Sequence, residues 1–202
     1  MNFFLRFVTL FVLIFLGGCA APKLMGKQIL EPASRMENVV VVLNTDLYKS
    51  RTTFAAGQGA AYVDLLRQQI VEQFSQANVP AKVIEGDASL RTLKIRDSMN
   101  EAKPSHIVSV TSSGVTTVSN KAAKFVWTLG IHQIALSNVT GVSQVIEFNE
   151  DGKTSLRYRQ VFSANFSADP CSSAIEASVR PKCVKDLTDL FLSTLKEGRF
   201  LQ

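Results

Sequence analysis

Apolar positions follow strand-like and helix-like periods along most of the chain. The β-branched run over residues 38–43 (NVVVVL) is typical of a strand buried on both faces. Residues 60–77 instead repeat apolar positions every three or four residues, which predicts an amphipathic helix. Residues 81–84 predict a short strand, and the charged stretch 87–102 predicts a short helix. The buried stripe of the first helix is expected to consist of Tyr62, Leu66, Ile70, Phe74 and Ala77.

After Pro104 the period changes from helical to alternating, which predicts four strands joined by short turns. The last strand, over residues 156–166, is expected to carry one apolar face, and a helix over residues 185–199 closes the chain. The predicted order is β-α-β-(α)-β-β-β-β-α. This order indicates an α+β fold, a two-layer sandwich in which two main helices cover a mainly antiparallel sheet. The apolar face of the last strand is expected to comprise Leu156, Tyr158, Phe162 and Phe166.

The first 18 residues are typical of an export signal. Arg6 precedes an apolar run of about ten residues, whereas a membrane-spanning helix needs about 20. The run ends in Leu16-Gly17-Gly18-Cys19, which resembles the lipobox of bacterial lipoproteins. The resemblance implies that the Cys19 thiol receives diacylglycerol, that residues 1–18 are removed as a signal peptide, and that the new amino terminus is acylated. The alternative is an ordinary signal peptide that ends at a chance cysteine.

The residues after Cys19 bear on where the lipoprotein is sorted. Ala20 and Ala21 follow the cysteine, and no Asp does, which by the same resemblance favours the periplasmic face of the outer membrane over the inner membrane or the cell surface. Residues 19–36 contain prolines and scattered charges without a period, which indicates a lipidated tether. Residues 37–202 are expected to form a single α+β periplasmic domain.

Charge and cysteine content agree with an exported protein. The net charge is +5 with no run of consecutive basic residues, so nucleic acid is not an expected partner. Apart from Cys19, the chain has only Cys171 and Cys183, an even pair that predicts a disulfide in an oxidising compartment. Two free thiols or a pair of metal ligands are the alternatives.

The chain contains no recognisable catalytic or metal-binding constellation. His106 and His132 are the only histidines, both lie on predicted strands, and a structural role is the favoured interpretation of each. No zinc, calcium or phosphate-loop spacing is present, so we expect neither an enzyme nor a bound cofactor or metal. A long loop and one face of the last strand remain as candidate partner contacts. Their residues are Tyr48, Lys49, Arg51 and Phe54 in the loop and Arg157 and Arg159 on the strand.

These observations favour a membrane-anchored, non-enzymatic binding or assembly module of the cell envelope with a protein partner. The predicted topology is similar to that of small α/β lipoproteins and periplasmic domains that serve envelope assembly machines, although no motif is shared. The alternative is a lipoprotein that binds lipid or a small ligand. That function would require a cavity between sheet and helices, lined by residues such as Trp127 and Phe162.

Overall fold

The computed structural model describes residues 22–32, 34–44, 58–86, 93–115, 124–134, 145–150, 154–167 and 180–202. Within these ranges lie three helices: α1 (Gln58–Gln76), α2 (Leu93–Ala102) and α3 (Arg180–Glu197). The strands are β1 (Lys23–Ile29), β2 (Val39–Asn44), β3 (Ala81–Gly86), β4 (His106–Val115), β5 (Lys124–Ile134), β6 (Val145–Glu150) and β7 (Thr154–Ser167). Every strand and helix predicted from residue 38 onwards is present, with shifted ends. No helix in the described ranges is long and apolar enough to cross a membrane.

The strands form one mixed sheet in the order β1-β7-β5-β4-β2-β3, and β6 pairs with the first half of β7. β2 is parallel to both β3 and β4. Helix α1 connects β2 to β3, and helix α2 connects β3 to β4, as parallel neighbours require a crossover connection. The pairs β1–β7, β4–β5, β5–β7 and β6–β7 are antiparallel. The chain therefore has the predicted α+β class. Four of the six strand pairings in the described residues are antiparallel and two are parallel, so the sheet is mixed.

Alternate residues of β2 belong to two separate cores. Val39, Val41 and Leu43 lie in the larger core, which includes the buried stripes of α1 and α3. Val40 and Val42 lie in a smaller core that includes residues of α2. Since side chains alternate between the faces of a strand, α2 lies on the face opposite α1 and α3. The expected two-layer arrangement is thus corrected around β2, where helices lie on both faces.

The strand order explains why α2 lies on the other face. From β2 the chain steps outward to β3, and from β3 it steps back across β2 to β4. Crossovers between parallel strands are right-handed, so two crossovers in opposite directions place their helices on opposite faces. The buried side chains of Ile95 and Met99 fix α2 there. The sequence alone does not reveal this reversal, because it depends on the order of the strands in the sheet.

A bulge in β7 changes which side chains share a face. Ile131 of β5 pairs with Phe162, whereas the next residue, His132, pairs with Gln160. The register shift leaves Val161 as the extra residue and reverses the alternation before it. Phe162 and Phe166 therefore face the larger core while Tyr158 lies in the smaller one, so the prediction of a common face is wrong for Tyr158.

β1 lies within residues 19–36, the segment whose lack of a period predicted a tether. It pairs antiparallel with the second half of β7, and all seven of its residues are exposed. A strand that buries neither face leaves no alternating pattern in the sequence, because its pairing depends on backbone groups alone. The expectation of a tether over residues 19–36 is therefore corrected for residues 23–29, which form a paired strand.

Candidate functional site: the amino-terminal strap

Residues 22–32 and 34–38, which we call the strap, run along one end of the domain and lead into β2. β1 forms the first part of the strap, and its register extends from Lys23 opposite Ser167 to Ile29 opposite Phe162. A shift between Leu24 and Gly26 leaves Met25 as an extra residue. β1 also lies at the end of the strand order, so its outer edge pairs with no strand of the described residues.

Two ion pairs fix the strap to the sheet and to α3. The Lys27 ammonium lies 2.7 Å from the Glu197 carboxylate near the end of α3. The Arg159 guanidinium lies 2.5 Å from the Glu31 carboxylate, and each side chain is only about one quarter exposed. The backbone N–H groups of residues 30 and 31 both donate to the Val161 carbonyl at the bulge, at 2.9 and 3.3 Å. The strap thus follows the bulged strand beyond the end of β1.

A histidine holds the next part of the strap. The Nε2 atom of the buried His106 lies 3.1 Å from the Ser34 hydroxyl oxygen, and that hydroxyl donates to Gln133 Oε1 at 2.8 Å. On the other side of the ring, Nδ1 lies 3.1 Å from the hydroxyl oxygen of Ser105. Burial lowers the pKa of His106 to about 4, and a hydrogen bond with the Ser34 backbone partly opposes that shift. The ring is therefore neutral near pH 7.

A serine beside a histidine invites comparison with a nucleophile and its base. In such a pair the hydroxyl donates its proton to the imidazole, and a third group orients the ring. Each hydroxyl also lies within hydrogen-bond distance of another acceptor, Gln133 Oε1 for Ser34 and the Asn38 carbonyl, at 2.7 Å, for Ser105. Because a neutral imidazole carries a single N–H, its other ring nitrogen accepts from one of these two hydroxyls. Backbone N–H groups of residues 37 and 38 also donate to the Ser105 oxygen. On its Nδ1 side the ring meets the Ser105 hydroxyl and not a carboxylate, and the arrangement joins the strap to the start of β4.

The strap ends inside the larger core. Met36 is buried, and its backbone N–H donates to the Phe200 carbonyl at 3.0 Å. The Phe200 ring meets the rings of Phe162 and His106 edge to face, with centroids 5.5 and 6.2 Å apart. The chain end after α3 therefore covers the same histidine that holds Ser34, and the strap, the sheet and the carboxyl-terminal segment form one connected cluster.

The second histidine lies on the sheet away from the strap. His132 is buried on β5, its Nδ1 atom has no hydrogen-bond partner, and burial lowers its pKa to about 4. A hydrogen bond with the Ile107 backbone opposes this shift. The neighbouring Gly130 is closely packed, since a Cβ atom there would lie 2.5 Å from the Ser109 hydroxyl. Both histidines are thus buried within strands.

Most of the contact residues suggested by the sequence lie outside the described residues. This is true of the lipidation candidate Cys19 and of the four loop residues. Of the two candidate contacts on the strand, Arg157 is half-buried, and Arg159 forms an ion pair with Glu31. The strap residues Glu31 and Ser34 carry no sequence signal that would have identified them, because their partners lie far along the chain. The loop residues are Tyr48, Lys49, Arg51 and Phe54.

Only one of the two cysteines of the predicted disulfide lies within the described residues. Cys183 on α3 is buried and disulfide-bonded. Cys171 lies outside the described residues, so its pairing with Cys183 stays a prediction. In the described ranges, no three His, Cys, Asp or Glu side chains are grouped so that they could hold a metal ion.

A small apolar cavity lies between the sheet and the helices α1 and α3. Its volume is about 20 Å³, enough for one water molecule and far below the roughly 300 Å³ of a small ligand site. Trp127, expected to line a ligand cavity, instead packs against Tyr62 and Phe191 with ring centroids 6.3 and 6.4 Å away. The cavity is lined by Val41, Ile70, Gln73, Phe74, Val108, Val110, Leu129, Thr188, Phe191, Leu192 and Leu195.

Comparison with known proteins does not identify a family. No family model matches the sequence, and no curated protein matches it. Among solved structures, the chain is similar to the PelC dodecamer from Paraburkholderia phytofirmans, with 12% identity and a TM-score of 0.39 over 90% of this chain and 99% of that one. A leucine-to-methionine variant of the same dodecamer has 15% identity and a TM-score of 0.39 over 83% of this chain and 96% of that one. These values support no statement about function.

Proposed function

We propose that this protein is a lipoprotein of the bacterial envelope, anchored through Cys19 at the periplasmic face of the outer membrane, where its domain acts as a non-enzymatic binding or assembly module. The proposal of an anchor depends on the sequence Leu16-Gly17-Gly18-Cys19 behind an apolar run. Several acyl chains on one cysteine would hold the protein durably on a membrane, whereas one chain binds only marginally.

The strap is the observation that carries the proposal of a binding module. Only three residues separate Cys19 from the start of β1 at Lys23, and the four residue steps between them span at most about 14 Å. From Lys23 onwards the strap is tied to β7, to α3 and to the start of β4 by the contacts described above. A lipid on Cys19 would therefore hold the domain close to the membrane in a restricted orientation. Restricted orientation suits a module that must present one surface to a partner.

Lipid attachment is tested by replacing its acceptor. A Cys19→Ala variant should lose radiolabelled palmitate and leave the membrane fraction, because no thiol remains to carry diacylglycerol. A Cys183→Ala variant is the control, since it removes a cysteine elsewhere in the chain and should keep both the label and the membrane fraction. Unchanged labelling and membrane retention in Cys19→Ala would contradict the anchor.

The binding role is tested by crosslinking in intact cells. The wild-type chain should crosslink reproducibly to one envelope protein. Inserting a flexible Gly-Ser segment of about 15 residues between Ala21 and Pro22 should reduce that crosslink while the protein stays in the membrane fraction, because such a linker frees the orientation of the domain. The same segment appended after Gln202 is the control. If only self and lipid crosslinks appear with the wild type, the assembly function is wrong.

The alternative function, binding of lipid or a small ligand inside the domain, has less support. The cavity between sheet and helices is about 20 Å³, and neither Trp127 nor Phe162 lines it. Mass spectrometry of purified protein under native conditions tests this alternative directly, since a bound lipid would appear as an added mass that organic extraction removes.

A further inference from the structure

Exposed large apolar side chains are concentrated in the strap. Among the described residues, five such side chains are exposed, and four of them are Leu24, Met25, Ile29 and Leu30. Met25 and Ile29 are 62% and 60% exposed, and the fifth residue, Val71, lies on α1. Single exposed apolar residues are common on protein surfaces, but four within seven consecutive positions form a patch that indicates an interaction surface.

The charges near this patch are suited to a lipid surface. Lys23 and Lys27 are exposed basic residues of the same strand. The Lys27 ammonium is held by Glu197 of α3, so Lys23, with its long stem, is the residue of β1 that can reach a lipid phosphate without breaking that ion pair. Glu31 is the one acidic residue within residues 23–32, and Arg159 neutralises it. The patch is therefore apolar and basic, the combination that favours binding to membranes with anionic headgroups.

The position of the patch along the chain identifies the surface that would cover it. Met25 follows Cys19 by six residues, so the two lie at most about 20 Å apart even with the chain fully extended. If Cys19 carries acyl chains, its thiol lies at the membrane interface, and the apolar patch cannot be far from the headgroups.

An alternative occupant is the edge strand of a second copy. The register shift at Met25 counts against it, because a bulge interrupts the regular spacing of backbone groups that edge-to-edge pairing needs. Pairing of the edge would also leave these apolar side chains exposed, because strand pairing uses backbone groups alone.

We propose that β1 and Leu30 lie against the lipid headgroups of the membrane that holds Cys19, with the side chains of Leu24, Met25 and Ile29 in contact with lipid. This inference rests on the proposed lipidation of Cys19. It makes the strap a second membrane contact, and it orients the sheet edge formed by β1 toward the bilayer.

Fluorescence of a probe on the strap tests the contact. An environment-sensitive fluorophore is attached to a Met25→Cys variant of the lipidated chain, without reductant, and the protein is incorporated at low density into vesicles of phosphatidylethanolamine and phosphatidylglycerol. The emission should shift to the blue, and spin-labelled lipids should quench it. The matched control is Val71→Cys on α1, where emission and quenching should stay as in water.

The outcomes separate this inference from the proposed function. If the protein enters the vesicles but the probe at Met25 behaves like the probe at Val71, the membrane contact of β1 is wrong while the anchor stands. A blue shift that grows with protein density and resists lipid quenching would show that a second copy covers β1, and would also overturn the inference. If the chain carries no lipid and does not enter vesicles, both proposals fail.

A measurement without the anchor gives a second test. A Cys19→Ser chain beginning at residue 19 should bind the same vesicles weakly, and Met25→Gln with Ile29→Gln should reduce that binding by about tenfold, because two apolar side chains no longer leave water. Val71→Gln should leave the binding unchanged. Equal binding by the double variant and its parent would overturn the inference.

Discussion

Lowering the pH from 7.5 to 5.5 should destabilise this protein through its two buried histidines. His106 and His132 are 1% and 5% exposed, and burial lowers the pKa of each from 6.5 to about 4. In the unfolded chain each imidazole regains a pKa near 6.5. Between these values the unfolded state binds protons that the folded state does not, so folding is favoured less as the pH falls. This stability is fully present above pH 6.5 and is lost progressively as the pH falls toward 4.

The size of the effect follows from the two pKa values. Each pH unit between the folded and unfolded pKa corresponds to about 1.4 kcal/mol, so each histidine costs about 3 kcal/mol once the pH is below 4. At pH 5.5 the loss is about 1.4 kcal/mol for each histidine, or nearly 3 kcal/mol for both. A domain is stable by only about 5–15 kcal/mol, so the change is large enough to measure.

Urea unfolding followed by tryptophan fluorescence measures this loss, because the single tryptophan, Trp127, is buried in the larger core. The free energy of unfolding is compared at pH 7.5 and 5.5, above the range where most carboxylates titrate. A His106→Gln variant and a His132→Gln variant should each lose about half of the pH dependence, even if both are less stable at pH 7.5. If either variant retains the full wild-type dependence, the histidine it replaces is not protonated on unfolding and the reasoning is wrong.

Three further predictions concern the strap and the sheet. Met36→Ala should reduce the free energy of unfolding by about 2–5 kcal/mol, measured by urea unfolding, because it removes a fully buried side chain from the larger core. Gly130→Ala should cost about 1–3 kcal/mol because the new Cβ would meet the Ser109 hydroxyl, and a second substitution, Ser109→Ala, should recover part of the loss. Glu31→Gln should cost about 1 kcal/mol and speed hydrogen exchange of the strap amides, while exchange in β2 stays slow, because it removes the partner of Arg159. Unchanged exchange in the strap would contradict that role.

The elements that the sequence predicts well are those with a buried face. β2 is recognisable because both of its faces are buried, and α1 because Tyr62, Leu66, Ile70 and Phe74 form one buried stripe. The positions of His106 and His132 on strands were likewise predictable from the alternating pattern after Pro104. In each of these cases a buried face repeats apolar residues at the spacing of a strand or a helix, and that repeat is visible in the sequence.

The features that the sequence does not predict depend on which strands become neighbours. β1 buries neither face, and the bulge at Val161 appears only once β7 is paired with β5. The contact of Ser34 with His106 and Gln133 joins residues 72 and 99 positions apart, and nothing in the local sequence marks it. The candidate site is therefore visible only after the strand order is known, because it is built from long-range contacts.

The difference between a tether and a strap changes what a lipid anchor can do. A flexible tether of some 18 residues would leave the domain free to turn, so the anchor would supply location alone. The strap pairs with β7, bonds to His106 and enters the core at Met36, so turning the domain relative to residue 23 requires breaking these contacts. Contacts such as Glu31–Arg159 would then govern orientation at the membrane, while Cys19 governs location. Glu31→Gln should for that reason weaken crosslinking to the partner and leave membrane retention intact, a separation that a simple tether would not produce.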